Sequence, residues 1–156
     1  MRFQQPLLLA GLSLALGCSS AAPPEDDLWV TVGHGQTDYV PLANGDAVEL
    51  VYGPQGGWHL NLGARVGGIG PDSVILTYRV WDAARTHQVG YPIKMVPTLR
   101  PSPDDDSFEQ CGIRVVLAIG APEDVVQRAL LVETELIDGP LVVRDARSVL
   151  IVDREP

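Results

Sequence analysis

The sequence predicts an all-β domain, and two observations lead to that prediction. Short runs of β-branched and other apolar residues recur between clusters of Gly, Pro, Asn and Asp, which is the pattern of strands joined by turns. Within the clearest runs, apolar and polar residues alternate, as they do when one strand face packs against a core. Several short strands at such spacing indicate a sandwich or a barrel.

The two clearest strands are predicted in the middle of the chain. In residues 58–66 every second residue from the first onward is apolar, and His59 begins the polar face. In residues 73–81 the alternation places Val74 and each second residue after it inward and Trp81 outward, or the reverse if the register shifts by one. We expect these strands to be neighbours or to face each other across the core.

Glycines mark the predicted turns. Asn44 and Gly45 lie between two apolar runs, and an Asn-Gly pair favours the positive φ angles of a type I′ hairpin. The glycine-rich residues 53–57 then turn the chain into the strand that begins at Trp58. Further strands are predicted over residues 28–32, 90–96, 111–119, 130–137 and 148–152.

Near residues 122–128 the sequence predicts one short helical turn. Pro122 followed by two acids is typical of a helix start. A longer helix is the alternative, but it would have to include residues 132–136, whose alternation suits a strand. The last two strands are expected to pair as a hairpin around residues 138–140.

The first 17 residues predict an export signal. Arg2 supplies a positive charge, residues 7–16 form an apolar run, and small residues precede Cys18. The run is too short to span a membrane, because a hydrocarbon core needs roughly 20 apolar helical residues. We therefore expect residues 1–17 to be removed on export.

Residues 14–18, Leu-Ala-Leu-Gly-Cys, resemble the lipobox of bacterial lipoproteins. The resemblance implies that Cys18 carries a covalent lipid, with no other cofactor, and that acyl chains hold the protein at a membrane of the cell envelope. Because no Asp follows the cysteine, it also implies the outer membrane. The alternative is an ordinary secretory signal cut near Ala21 or Ala22, with Cys18 discarded.

Residues 53–59, Gly-Pro-Gln-Gly-Gly-Trp-His, and residues 62–66, Leu-Gly-Ala-Arg-Val, look like a stretch found in uncharacterised exported lipoproteins. The resemblance implies an immunoglobulin-like antiparallel β-sandwich of about seven to nine strands. It transfers no catalytic residue.

Three regions follow from these predictions. Residues 1–17 form the signal, residues 18–27 hold the lipidated Cys18 and a flexible tether of small, proline and acidic residues, and residues 28–156 form one sandwich domain. Once Cys18 is acylated, Cys111 is the only remaining thiol, so no intramolecular disulfide is expected.

The composition and motifs argue against two functional classes. Eleven Lys and Arg residues stand against 20 Asp and Glu residues, a net charge of −9, and the basic residues are scattered, so no nucleic-acid partner is expected. No hydrolase or nucleotide-binding motif is present, and we predict that the protein is not an enzyme. The sequence favours a binding or structural role through contacts with envelope proteins; a module that binds a metal, small ligand or glycan is the alternative.

Single histidines and one tryptophan are the first candidate binding residues. Imidazole is a ligand of zinc and copper, but the spacing of the histidines is not typical of a metal site, and no metal is predicted. His34 and His59 remain candidates for binding other ligands, and His59 is the better one because it follows the glycine turn on a polar face. Trp81, if it points outward, would mark a protein or glycan contact.

Acidic residues are the second group of candidates. A loop offers oxygen ligands of the kind calcium prefers, although it lacks the EF-hand spacing, and the alternative is a solvated acidic loop. Its residues are Asp104, Asp105, Asp106 and Glu109. Glu133 and Glu135 share one face of a predicted strand, where we expect water to solvate them.

Overall fold

A computed structural model describes residues 27–70 and 73–153, and in them ten strands and one 3₁₀ turn confirm the all-β prediction. The strands are β1 (Trp29–His34), β2 (Val40–Pro41), β3 (Ala47–Tyr52), β4 (Trp58–Gly67), β5 (Ile75–Asp82), β6 (Ile93–Met95), β7 (Arg100–Pro101), β8 (Phe108–Val116), β9 (Ala129–Asp138) and β10 (Leu141–Asp153). The 3₁₀ turn, Pro122–Asp124, falls where the sequence predicts one. The predicted signal, Cys18 and the tether as far as residue 26 lie outside the described residues.

The strands curl into two layers around one core. In the first layer β4 pairs with β1 and β8, and the short strands β2 and β7 extend the edges. In the second layer the order is β10-β9-β5-β6. β3 joins the layers, because its residues 47–50 pair with β10 while its last two residues pair with β4.

The predicted hairpin at Asn44 and Gly45 is wrong. β2 pairs with β1 instead of β3, and of the two turn residues only Gly45 has a positive φ, whereas a type I′ turn needs both. The side chain of Asn44 accepts a hydrogen bond from the Ser148 amide at 2.9 Å, and the Gly45 amide donates to the Ser148 carbonyl at 2.7 Å. These hydrogen bonds hold the turn against β10. The strand that follows the turn, β3, runs parallel to β10, so the sheet is mixed and not purely antiparallel.

The other predictions differ from the observed strands mainly at the strand ends. The strand predicted over 111–119 spans Phe108–Val116, the one over 90–96 shortens to Ile93–Met95, and the one over 148–152 lengthens to Leu141–Asp153. The number of strands exceeds seven to nine because β2 and β7 contain only two residues each. The terminal hairpin is confirmed, since β9 and β10 pair from Asp138 and Leu141 onward.

The core lies between the two layers and is built from alternate residues of their central strands. Leu60 and Leu62 of β4 and Leu76 and Tyr78 of β5 are fully buried there, so these strands face each other. The Tyr78 hydroxyl donates to Oε1 of Gln110 at 3.0 Å, and burial raises the Tyr78 pKa far above its usual value. Among the described residues no helix has the length and apolar character needed to cross a membrane.

Candidate functional site

His59 lies on the outer face of the first layer, near the start of β4. It pairs in register with Val51 of β3 on one side and with Val116 of β8 on the other. The alternation along β4 sends His59 outward because Leu60 and Leu62 take core positions. Although it faces away from the core, the residue is only 6% exposed.

The turn at residues 53–57 covers His59. The Gly53 amide donates to the Gly57 carbonyl at 2.9 Å, and the Gly56 amide donates to the Gly53 carbonyl at 3.0 Å. Gly56 and Gly57 have φ angles of 84° and 86°, which side chains other than hydrogen disfavour. A Cβ atom on Gly53 would lie 3.6 Å from Nδ1 of His59, so the turn backbone lies against the imidazole.

The turn, His59 and the neighbouring end of β8 enclose a hollow of about 210 Å³, which we call the His59 hollow. Pro54, Arg114 and Val116 line it together with the turn glycines. Within the described residues, neither the His59 imidazole nor the Arg114 guanidinium has a hydrogen-bond or ion-pair partner. The His59 nitrogens are not among the fully buried atoms without a partner in the described residues, so they face the open hollow, where water or a ligand can reach them.

Burial lowers the pKa of His59, and the positive charge of Arg114 lowers it further. The imidazole is therefore neutral near pH 7 and offers one N–H donor and one acceptor nitrogen. Arg114 supplies N–H donors and a permanent positive charge. Together these groups can bind an anion or a polar group with acceptor oxygens.

Two exposed tyrosines are neighbours of residues that line the His59 hollow. Tyr52 is 63% exposed, and its ring centroid lies 4.9 Å from that of Trp58. Tyr91 is 61% exposed, and its amide donates to the Val116 carbonyl at 2.9 Å. Aromatic residues with a polar tip are enriched in protein interfaces, so this end of the sandwich has the composition of a contact surface.

Stability should fall as the pH drops below the ordinary histidine pKa of about 6.5. Burial lowers the pKa of both His34 and His59, so the unfolded chain binds protons before the folded one does. The contribution of the two neutral histidines to stability is fully present above the unfolded-state pKa. It is lost as the pH falls towards the lowered pKa values of the folded state. Urea unfolding at about pH 7.5 and 5.5 measures the loss. His59→Gln should show a smaller loss than the wild type, and an equal loss would contradict this assignment.

His34 lies at the end of β1, in a separate hollow of about 120 Å³ that Glu49 and Asn61 also line. Burial lowers its pKa, and Asp46 partly opposes that shift. Oδ1 of Asn61 is buried there without a hydrogen-bond partner in the described part of the chain. Across residues 27–70 and 73–153, no three His, Cys, Asp or Glu side chains come together to hold a metal ion.

The acidic loop considered for calcium is organised around an arginine. Nη2 of Arg65 lies 2.8 Å from Oδ2 of Asp104 and 2.5 Å from Oε1 of Glu109, and Nη1 lies 3.9 Å from Asp105. Asp106 makes no side-chain hydrogen bond or ion pair within the described residues. A guanidinium from β4 therefore lies within 4 Å of three of the four carboxylates, and its single positive charge offsets one of their three negative charges.

Trp81 points outward from β5, as predicted, but it is not an open aromatic patch. Cζ of Arg85 lies 5.8 Å from the ring centroid, and Nε1 of the indole is buried without a hydrogen-bond partner in the described residues. Arg85 also hydrogen-bonds to Glu133 of β9. The tryptophan is thus part of a charged network on the outer face of the second layer.

Glu133 and Glu135 form the centre of that network, and at 2% and 6% exposure they are not solvated as predicted. Arg79 lies 3.3 Å from each carboxylate, and Nε of Arg144 donates to Glu135 at 2.5 Å. Burial raises the pKa of Glu135, but the hydrogen bonds from Arg144 and Arg79 outweigh it and hold that pKa below its usual value. Arg79, Arg85 and Arg144 thus provide hydrogen-bond donors and positive charge for both buried carboxylates.

A larger hollow of about 370 Å³ lies between the residues that follow β5 and those around the 3₁₀ turn. Its acids have partners within the chain. Asp82 accepts hydrogen bonds from the turn that follows it, and Asp124 accepts two from backbone amides at 3.0 and 3.1 Å. The His59 hollow is the better candidate because both its imidazole and its guanidinium lack such partners in the described residues, whereas in the larger hollow only Arg128 lacks an ion pair.

The sequence matches no protein-family model and no curated protein. Among solved structures, the CooA pilin subunit from enterotoxigenic Escherichia coli is similar, with 15% identity, 80% of this chain and 99% of the pilin covered, and a TM-score of 0.36.

Proposed function

We propose that this chain is a cell-envelope protein, anchored in the outer membrane by lipid on Cys18, whose sandwich domain binds another envelope protein and has no catalytic role. The observation that carries the binding role is the His59 hollow, where His59 and Arg114 lack partners within the described residues. The lipobox resemblance of residues 14–18 supports the anchor.

The surroundings of the hollow favour a protein as the partner. Tyr52 and Tyr91 are both more than half exposed; Tyr52 ends β3, and the Tyr91 amide donates to the carbonyl of Val116, two residues after Arg114. Tyr and Arg are enriched among the residues that contribute most to binding energy in protein interfaces. Exposed tyrosines near an exposed arginine are therefore suited to binding the surface of another protein.

The anchor limits where that partner can be. Residues 19–27 number nine, and an extended chain spans at most roughly 3.3–3.6 Å per residue. The contact surface would therefore stay within a few tens of Å of the membrane. A partner would lie in that membrane or close to its surface.

A crosslinking pull-down of the tagged full chain from native membranes tests this proposal. We expect a stoichiometric envelope protein with the wild type and its loss with Cys18→Ala, because the unanchored chain leaves the membrane surface. Mass spectrometry identifies the captured protein. The absence of a captured protein from both samples would contradict the binding role, and equal capture from both would contradict the role of the anchor.

A glycan contact is the second candidate function. The exposed ring of Tyr52 beside Trp58 offers an aromatic face on which the apolar side of a sugar can stack. Tryptophan fluorescence during titration with envelope oligosaccharides tests this. A saturable change that Tyr52→Ala removes would favour the glycan.

A further inference from the structure

We infer that the His59 hollow receives an acidic side chain of the protein partner, whose carboxylate pairs with Arg114 and accepts a hydrogen bond from the His59 imidazole. This inference rests on the proposed function, because it specifies the chemistry of the same contact. Three observations support it: the charge balance of the described arginines, the hydrogen-bonding state of His59 and the size of the hollow.

Arg114, an exposed residue, is one of two described arginines without a carboxylate partner, and the other is Arg128. Acids outnumber basic residues by 20 to 11 in this chain. Most of the described arginines accordingly have carboxylate partners: Arg65, Arg79, Arg85, Arg100, Arg144 and Arg147. Arg114 has none among the described residues although acids are abundant. A guanidinium pairs with a carboxylate through two parallel hydrogen bonds, so a carboxylate from outside the chain is the group that suits it.

His59 supplies a second hydrogen-bonding group to the same hollow. Asn61 pairs with Arg114 and His59 pairs with Val116 in the β4–β8 register, so His59 and Arg114 occupy nearby outward positions on adjacent strands. The imidazole is nine-tenths buried and has no hydrogen-bond partner in the described chain. An incoming carboxylate oxygen would accept its N–H and satisfy it.

The size of the hollow indicates one side chain and not a whole small molecule. Its volume is about 210 Å³, whereas pockets for drug-sized ligands measure roughly 300–1,000 Å³. Pro54 and Val116 provide apolar walls against which the methylene groups of a glutamate can pack. The exposed Tyr52 and Tyr91 outside the hollow would then contact the partner on either side of that residue.

The test is a titration of the full lipidated chain, solubilised in detergent and labelled with ¹³C at its histidines, with the peptide acetyl-Gly-Gly-Glu-Gly-Gly-amide. We expect the His59 imidazole resonances to shift on binding, and the same peptide with Gln in place of Glu to cause about tenfold less shift or none. Arg114→Gln should weaken binding of the glutamate peptide about tenfold or more, and Arg114→Lys should retain part of it.

Arg128→Gln is the matched control. Arg128 also lacks an ion-pair partner among the described residues, but it lies in the larger hollow together with Asp82 and Asp124. Its replacement should leave the His59 shift unchanged. Equal shifts with the Glu and Gln peptides, or an equal loss in Arg128→Gln and Arg114→Gln, would overturn the inference. A larger shift of the His59 resonances with glucuronate than with the peptide would overturn the inference in favour of a sugar acid as the group that the hollow receives.

The pull-down separates this inference from the function on which it rests. Capture of a partner by the wild type and Arg128→Gln but not by Arg114→Gln supports both. If Arg114→Gln captures as much partner as the wild type, the binding role is supported and the acidic contact is overturned. If no partner is captured while the peptide still binds, the proposed function fails and the carboxylate site stands without it.

Discussion

Glu133→Ala should lower the free energy of unfolding by about 2–4 kcal/mol, because it removes the shared acceptor of a nearly buried charge network. Arg79 and Arg85 both hydrogen-bond to this carboxylate. Arg79 is three-quarters buried and would keep only Glu135 as a partner, whereas Arg85 is half-exposed and can turn to water. The expected loss of stability is therefore smaller than for a fully buried ion pair. Urea unfolding monitored by tryptophan fluorescence measures it.

Glu123→Ala is the matched control for this change. Glu123 lies on the exposed 3₁₀ turn, and an exposed substitution of this kind usually changes stability by about 0.5 kcal/mol or less. The double variant Arg79→Met/Glu133→Leu should recover much of the loss, since apolar groups of similar size need no pairing. Equal losses in Glu133→Ala and Glu123→Ala would show that the network does not stabilise the fold.

The inward and outward faces of the central strands could be predicted from the sequence because that pattern is local. Alternation along residues 58–66 and 73–81 fixes which side chains reach the core, and His59 and Trp81 do point outward. Strand pairing is not local. The Asn44-Gly45 pair favours a hairpin, but its hydrogen bonds to Ser148, near the end of the chain, decide the path of β3.

The site could be predicted only in part for the same reason. His59 was recognisable because it follows the glycine turn directly in the sequence. Arg114 was missed because only the pairing of β8 with β4 brings it to the hollow. One feature could have indicated it: Arg114 is a charged residue between the apolar Ile113 and Val115, so alternation places it on the outer face of its strand.

The environment of the acids could not be predicted, because their partners come from other elements. Glu133 and Glu135 have the alternation of a solvated strand face, and only the pairing of β9 with β5 and β10 places arginines over them. Likewise, Arg65 lies 39 positions before Asp104, and only the fold brings its guanidinium to that carboxylate. Composition alone does not show which charges meet.

Gly63→Ala should lower stability by about 1–3 kcal/mol or more, because an added Cβ would meet backbone that cannot move freely. The Cβ would lie 2.6 Å from the Gln110 carbonyl oxygen and 3.2 Å from Cα of Cys111. At this point β8 has an irregular register opposite β4, with Leu62 paired to Ile113 and Ala64 paired to Gln110. The extra residue there is what turns Arg114 outward, because a shift of one residue would reverse the faces of β8.

Because Gly63 lies at the irregular register that turns Arg114 outward, Gly63→Ala should also weaken binding at the His59 hollow. Gly120→Ala is the control, since its Cβ would have only an ordinary contact, 3.8 Å from Oδ2 of Asp124, and a change of about 0.5 kcal/mol or less is expected. Urea unfolding and the glutamate-peptide titration measure the two effects on the same protein samples. If Gly63→Ala loses stability but binds the peptide like the wild type, the irregular register supports the core without positioning Arg114. If neither property changes, the close approach of β4 and β8 at Gly63 does not constrain the sandwich.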